Sequence, residues 1–291
     1  MGNILLGLVP ALMWGIQPLV MQKIGGKTTN QQMGMAMGTL LFSIGVILIH
    51  QPQAWTMNLI VSSLACGIIW SLGQINQIKG FHLMGVSKAM PISTGTQLIG
   101  TSLVGILYFH EWDKSMQYLL GITALILIII GVAFTAFQES QTNQTNETVN
   151  MKKGFLILLL SSAAFVLYAV IPRLANVNGW DAVFPQAIGM FLGSLLFCSF
   201  EKSPNLFGKK SLQNILTGLI FAVANIAMML SNEKNGVAIG FTLSQMNVVI
   251  STLGGVLILK EAKTSKELKY TLIGVLLVAA GGILIGLTKA P

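Results

Sequence analysis

The sequence predicts an all-α integral membrane protein with ten transmembrane helices, arranged as two inverted five-helix repeats. Three observations support this prediction. Hydrophobic residues make up 53% of the 291 residues and charged residues only 9%, against roughly 25% charged in an ordinary soluble domain. The few charges divide the chain into apolar windows of membrane-helix length, and one polar segment separates two similar halves. This composition excludes a soluble enzyme, a disordered chain and a disulfide scaffold.

The windows free of Lys, Arg, Asp and Glu predict the helices in order. A helix that crosses the roughly 30 Å hydrocarbon core needs about 20 residues. Eight windows suit one helix each, and the sequence His-Gln-Pro-Gln at 50–53 divides the remaining, longer window into two helices. The windows show no period-2 alternation of a barrel strand, so the total is ten helices. The nine windows are 1–22, 28–78, 89–110, 115–138, 154–172, 182–200, 211–232, 235–259 and 270–288.

The basic residues predict the orientation of the chain in a lipid bilayer. The net charge is +8, and the Lys and Arg residues are scattered singly between apolar windows, which favours a membrane over a nucleic-acid partner. Thirteen lysines lie in or beside the loops after the first, third, fifth, seventh and ninth helices, and four basic residues lie on the opposite side. Basic loops remain in the cytoplasm. We therefore expect both termini outside the cell.

A polar linker, 138–152, is predicted to join a first five-helix repeat, 1–137, to a second, 153–291. Its core, QESQTNQTNETVN, has no apolar periodicity, and such a stretch is typical of a loop. An odd number of helices in each half makes the halves enter the membrane from opposite sides, as in many secondary transporters. The matching pairs lie 150 to 154 residues apart and are Trp14 with Tyr168, Pro18 with Pro172, Gly67 with Gly218, Trp70 with Phe221, Gln74 with Asn225, Gly85 with Gly236, Gly105 with Gly255 and Glu111 with Glu261.

Uncharged polar and aromatic residues within the predicted helices indicate a cavity. The fifth and tenth helices nearly lack such residues and are expected at the periphery. Trp70, Gln74 and Gln77 fall at positions i, i+4 and i+7, on one helix face. The same groups could instead only hydrogen-bond neighbouring helices. The candidate substrate-binding residues are Trp14, Gln17, Trp70, Gln74, Gln77, Ser93, Gln97, Tyr168, Gln186, Asn225, Ser244 and Asn247.

The chemistry of these residues favours a neutral polyol as the ligand. Amides offer both donor and acceptor, and an aromatic ring can cover the apolar face of a sugar. All nine acidic residues lie at the ends of the windows or in loops, which disfavours an exporter of cations. Lys88, at the mouth of the fourth helix, is the one cation that could enter a cavity, and the favoured alternative is that it extends toward the interface. The sequence has no metal-ligand cluster, catalytic triad or nucleotide motif, so neither an enzyme, a metal nor a cofactor is predicted.

Four blocks of sequence carry a resemblance to a known family. They are 70–77 (WSLGQINQ), 85–98 (GVSKAMPISTGTQL), 184–190 (FPQAIGM) and 243–255 (LSQMNVVISTLGG). The chain resembles the glucose/ribose uptake proteins of the drug/metabolite transporter superfamily, found in low-GC Gram-positive bacteria. The resemblance implies a cavity lined by helices 1, 3, 4, 6, 8 and 9, and sugar uptake across the plasma membrane, with proton symport in the glucose members. The sequence His-Glu-Trp at 110–112 is similar to the glucose type, and Trp-Gly-Ile-Gln-Pro at 14–18 is closer to the ribose type.

The leading hypothesis is a secondary transporter in a lipid bilayer that takes up glucose or ribose by alternating access and couples this uptake to protons. The alternatives are an exporter or facilitator of another small metabolite, and, in other classes, a membrane-embedded enzyme or a sensor. Proton coupling needs a group that titrates while exposed to each side in turn. Glu111 is favoured over Glu233 and His82, because the repeat gives it a partner in Glu261. A structural Glu111, paired with a nearby lysine at the interface, is the alternative.

Overall fold

The computed structural model describes residues 2–137, 150–202, 204–235, 243–261 and 263–288. The greater part of the predicted linker, and Gly236 of the repeat, lie outside this range. Within it the regular secondary structure is helical throughout. A short helix, Lys209–Gln213, precedes the eighth long helix. The long helices are α1 (Gly2–Ile24), α2 (Thr28–Ile49), α3 (Met57–Met84), α4 (Val86–Leu107), α5 (Ser115–Thr135), α6 (Met151–Leu174), α7 (Gly179–Ser199), α8 (Ile215–Asn235), α9 (Asn247–Leu257) and α10 (Ser265–Thr288).

Local sequence accounts for several of the helix ends. The break predicted at 50–53 lies between α2 and α3, and Thr56 caps α3 because its side chain accepts a hydrogen bond from the Leu59 amide at 3.2 Å. Asn150 caps α6 in the same way. Gly85 is the single residue between α3 and α4, and its φ of +79° is a conformation that glycine adopts readily. The chain therefore turns from one helix into the next without a longer loop.

In the described part of the chain, eight helical segments are long and apolar enough to cross a membrane, so the chain is a multi-pass membrane protein. They are α1, α2, α3, α5, α6, α7, α10 and the segment Lys209–Ser231, which joins the short helix to α8. α4 has 22 residues but contains a lysine and several hydroxyl and amide side chains, and the described part of α9 has only 11 residues. The expected total of ten spans thus includes two helices that apolar character alone does not identify.

Helices from the two sequence halves pack mainly against each other. α3 contacts α6 and α7, α8 contacts α1 and α2, and α9 contacts α1 and α4. Each helix of one half can be replaced by the corresponding helix of the other half, five positions earlier or later. This exchange converts the pair α1–α8 into α6–α3, the pair α1–α9 into α6–α4, and the pair α2–α8 into α7–α3. All six of these pairs are in contact. The central helices are therefore interleaved between the halves.

Facing glycines allow these helices to approach closely. A Cβ on Gly38 of α2 would lie 2.9 Å from the Gly218 Cα of α8, and a Cβ on Gly67 of α3 would lie 2.8 Å from the carbonyl carbon of Gly189 of α7. Real Cβ contacts are not this short, so a larger residue at either site would push the helices apart. Small residues serve the same purpose in many membrane bundles.

α5 and α10 form a pair at the edge of the bundle. They cross where a Cβ on Gly131 would lie 2.7 Å from the Gly274 carbonyl oxygen. Their other faces carry exposed apolar side chains, among them Ile122, Ile126 and Leu276. The peripheral position expected from their lack of polar residues agrees with this arrangement, although both helices also contact α4.

Candidate functional site

A central cavity of about 300 Å³ lies where the two halves meet. Its volume is at the lower end of the range for small-molecule sites, roughly 300–1,000 Å³. Residues from α1, α3, α4, α6 and α8 surround it, together with the residues at and just before the start of α9. The lining residues are Trp14, Gln17, Trp70, Gln74, Gln77, Met90, Thr94, Gln97, Leu98, Thr101, Phe165, Tyr168, Ala169, Phe221, Asn225, Met228, Ser244, Gln245 and Asn247.

Ten of the twelve candidate residues line this cavity, and two do not. Ser93 lies behind the wall, fully buried, where its hydroxyl accepts hydrogen bonds from Gln77 Nε2 and Gln97 Nε2, both at 2.9 Å. Ser93 therefore orients two lining amides. Gln186 lines a neighbouring cavity instead, and its Nε2 donates to Cys66 Sγ at 3.0 Å. The sequence could place Gln186 on α7 but could not say which cavity that helix face meets.

Aromatic side chains form one wall of the central cavity. The Trp70 and Phe221 rings, which occupy matching positions of the repeat, lie with their centroids 5.0 Å apart. Trp14, Phe165 and Tyr168 pack against the same buried cluster. Aromatic residues supply large apolar contact areas with defined geometry. The wall is therefore suited to the apolar face of a ring-shaped ligand.

Two hydrogen-bond donors in the cavity are buried and have no partner in the part of the chain that the structure describes. They are Trp14 Nε1 and Gln74 Nε2, and Gln74 is only 3% exposed. A buried polar group without a partner costs roughly 1–3 kcal/mol. Acceptor atoms of a bound ligand would remove that cost. Two residues of the cavity lining thus each hold a donor that a hydroxyl oxygen of a polyol could satisfy.

The described cavity lining contains only side chains that are uncharged at neutral pH. Amides, hydroxyls, aromatic rings and aliphatic groups make up the whole set. A charged ligand buried among them would lose its hydration without gaining an opposite charge, which is costly. The lining therefore favours a neutral ligand.

The lining residues absent from the candidate set are mostly apolar. Met90, Leu98, Phe165, Ala169 and Met228 give no polar signal in a hydrophobic helix, so the sequence does not distinguish them from lipid-facing residues. Phe221 could have been predicted from the sequence, because it matches Trp70 in the repeat. The further polar lining residues missing from the set are Thr94, Thr101 and Gln245.

A second cavity, of about 400 Å³, adjoins the first and is called the outer cavity here. Tyr168 and Asn225 belong to both linings, as do Ala169 and Met228. From this junction the outer cavity extends between α2, α6, α7 and α8 as far as Gly179, the first residue of α7. It therefore leads toward the end of the bundle at which α6 ends and α7 begins.

The opposite end of the bundle is called the linker end, because α5 ends and α6 begins there. Hydrogen bonds tie the two halves together at this end. Asn30 Nδ2 donates to the Asn205 carbonyl oxygen at 2.7 Å, and Asn214 Nδ2 donates to that of Gly25 at 3.1 Å. Lys210 Nζ donates to a third carbonyl oxygen, at 2.6 Å. These contacts join the α1–α2 connection to the segment before α8.

A cluster of charged residues also lies at the linker end, and it corrects the expectation for Lys88. Lys88 is only 5% exposed rather than extended to the interface, and its Nζ lies 3.9 Å from Glu267 Oε1. The Glu261 carboxylate accepts hydrogen bonds from the first two amides of α4, at 2.6 and 2.9 Å. Burial lowers the pKa of Lys263, outside the helices, to about 8; the Lys88 charge adds to this effect, and the two glutamates oppose it.

Glu111 lies away from both cavities. It forms an ion pair with Arg173 at the end of α6, and the Arg173 guanidinium lies 3.8 Å from the centroid of the Phe109 ring. This ion pair resembles the structural role given above as the alternative for Glu111, with an arginine in place of the expected lysine. Of the other coupling candidates, His82 contacts Thr28 Oγ1 through Nδ1 at 3.2 Å, and the side chain of Glu233 lies outside the described part of the chain.

The fold and the cavity define a multi-pass membrane protein with an uncharged central cavity between two interleaved sequence halves. Comparison with known proteins gives the family: a model described as "Sugar transport protein" matches residues 5–288. The chain therefore belongs to the sugar transport protein family, and it is not an enzyme. The family and the helical membrane fold agree with what the sequence resemblance implies.

Individual relatives match over their whole length. The chain is 48% identical to "Putative sugar uptake protein lmo0169" of Listeria monocytogenes, covering 99% of this chain and 100% of that protein. It is 44% identical to "Glucose uptake protein GlcU" of Bacillus subtilis, covering 99% of each. A solved crystal structure superposes on 97% of this chain and 96% of its own with a TM-score of 0.61 at 15% identity, which shows a similar fold.

Proposed function

We propose that this sugar transport protein takes up a neutral monosaccharide, glucose or ribose, across the plasma membrane as a secondary transporter. The observation that carries the proposal is the pair of unpartnered buried donors, Trp14 Nε1 and Gln74 Nε2, in an uncharged cavity with an aromatic wall. Sugar hydroxyls would accept from these donors, while the rings cover the C–H face of the sugar. The name of the Bacillus subtilis relative favours glucose.

We further propose that the ten helices form two inverted five-helix repeats, 1–137 and 153–291, joined by the linker. The interleaved contacts support this arrangement, because a shift of five helices converts one observed contact into another. α4 and α9 pack against each other beside the central cavity. Their position explains why two spans of such a protein would be less apolar than the rest.

Alternating access around the central cavity would carry the sugar across the membrane. The outer cavity leads from the site toward the start of α7, whereas hydrogen bonds tie the halves together at the linker end. If basic loops lie inside, both termini and the mouth of the outer cavity face outward. A reporter fused after Pro291 should then be active outside the cell, and a reporter in the linker should be active inside; the reverse pattern would refute this orientation.

Proton symport is the proposed source of energy, with Glu111 as the coupling residue. Its ion pair with Arg173 supplies a partner from which protonation would release it. The alternative within the same fold is a facilitator, or an exporter of another small metabolite. A facilitator would equilibrate the sugar and ignore a proton gradient.

Uptake into membrane vesicles tests these proposals together. Labelled glucose and labelled ribose are supplied separately, with and without an imposed pH gradient. We expect accumulation of one sugar above its external concentration only with the gradient. Equal rates with and without the gradient would indicate a facilitator, and uptake of neither sugar would refute sugar transport.

A further inference from the structure

We propose that the outer cavity binds the apolar aglycone of an alkyl or aryl glycoside whose sugar occupies the central cavity. This inference rests on the proposed function, because the sugar anchors the ligand. The two cavities meet at Tyr168 and Ala169 of α6 and at Asn225 and Met228 of α8. A single ligand can therefore extend from one cavity into the other along these residues.

The chemistry of the outer cavity differs from that of the central cavity. Away from the junction it is lined mainly by apolar side chains, including Phe42, Val183 and Ile226. Its two other polar side chains already have partners. Thr39 Oγ1 donates to the Met35 carbonyl oxygen at 3.0 Å, and Gln186 Nε2 donates to a cysteine sulfur.

A free sugar therefore gains little from the outer cavity, because its hydroxyls would exchange water for apolar contacts. An alkyl or aryl group gains from the same contacts. The ligand that satisfies both cavities has a polyol at one end and an apolar group at the other. The outer volume of about 400 Å³ leaves room for an aglycone of several carbon atoms.

The size of the effect follows from the burial of methylene groups. Burying one CH₂ contributes about 0.8 kcal/mol, which corresponds to roughly fourfold in affinity. From methyl to butyl, three methylenes are added, so the affinity should rise by tens of fold. The rise should end when the outer cavity is full.

The experiment is equilibrium competition against labelled sugar, with purified protein in lipid nanodiscs so that no glycoside detergent is present. The competitors are methyl, ethyl, propyl and butyl D-glucosides of both anomers, or the ribosides if ribose is the sugar bound. Butan-1-ol serves as the probe for an apolar site that ignores the sugar. We expect one anomeric series to gain affinity with chain length and butan-1-ol to compete at least a hundredfold more weakly than the butyl glycoside.

A pair of valine variants locates the effect. Val183 lines the outer cavity, and Val183→Trp fills part of it. Val223 is 37% exposed on α8 and belongs to neither cavity lining, so Val223→Trp adds the same bulk elsewhere. We expect the ratio of methyl to butyl glycoside Kd values to fall toward one in Val183→Trp and to persist in Val223→Trp.

Each other outcome contradicts a specific step. Sugar binding with a flat glycoside series overturns the aglycone site and leaves the proposed function standing. A series that persists in Val183→Trp overturns the location of the site. Competition by butan-1-ol as strong as by the butyl glycoside indicates a lipid-like site and overturns the link to the sugar. If no sugar binds, the proposed function fails and this inference fails with it.

Discussion

Replacing Gln74 by leucine separates ligand binding from helix packing. Gln74 is 3% exposed, lines the central cavity and holds a buried Nε2 without a partner in the described part of the chain. Leucine has similar bulk and helix propensity, so the cavity should keep its shape. Removing an unpartnered buried donor should leave the free energy of unfolding unchanged or raise it, because the desolvation cost of that donor disappears.

The affinity for sugar should change in the opposite direction. A hydrogen bond from Gln74 to a buried neutral hydroxyl is worth about 1–3 kcal/mol once its loss leaves the sugar oxygen unpaired. We therefore expect Gln74→Leu to raise the Kd of the transported sugar by roughly tenfold or more. The assay is equilibrium binding of labelled sugar to purified protein, with thermal unfolding measured in the absence of sugar on the same preparations.

Gln32→Leu is the matched control for this prediction. Gln32 is fully buried on α2 outside both cavity linings, and its Nε2 donates to Ser194 Oγ at 2.7 Å. This substitution removes a made hydrogen bond and also an unpartnered buried oxygen, Gln32 Oε1. The two effects on stability oppose each other, and the sugar Kd should stay within about twofold. If Gln74→Leu binds sugar as tightly as the wild type, Gln74 is not a ligand and the reasoning is refuted.

Three further predictions address the repeat, the coupling and the charged cluster. Asn225→Leu should weaken sugar binding about as much as Gln74→Leu, measured in the same assay; an unchanged Kd would contradict the equivalence of the two halves. Glu111→Gln should abolish accumulation driven by a pH gradient but spare equilibrative exchange, and continued accumulation would make Glu111 structural. Between pH 8 and about 10.5, unfolded chains bind more protons than the folded protein at Lys263, because its pKa is lowered to about 8. The stability of the wild type should therefore rise with pH relative to that of Lys263→Met, measured by thermal unfolding. An identical pH dependence of the two melting temperatures across that range would contradict the burial of Lys263.

Helix positions were largely accessible from the sequence because charge-free windows reflect the cost of placing ions in hydrocarbon. The start of α4 shows the limit of this reasoning. The window begins after Lys88, but α4 begins at Val86, because Gly85 permits a sharp turn and Glu261 accepts hydrogen bonds from the first helical amides. The partner of Lys88, Glu267, is 179 residues away in sequence. A window cannot detect such a pairing.

The site was accessible to the extent that its residues are polar and periodic. Trp70, Gln74 and Gln77 share a helix face and all line the central cavity. Gln186 has the same polar character but lines the outer cavity, since the helix face toward each cavity depends on how α7 packs against α2 and α3. Phe165 was missed because an apolar residue that contacts a ligand and one that contacts lipid look alike in sequence.

Counterflow of sugar through the purified protein tests the central claim most directly. Liposomes that contain the protein are loaded with unlabelled glucose or ribose and diluted into a trace of the same labelled sugar. The account predicts transient accumulation of label for at least one sugar, and its reduction in Gln74→Leu at low sugar concentration. Label that merely equilibrates at the rate of protein-free liposomes, for both sugars, would contradict the assignment of this cavity to sugar transport.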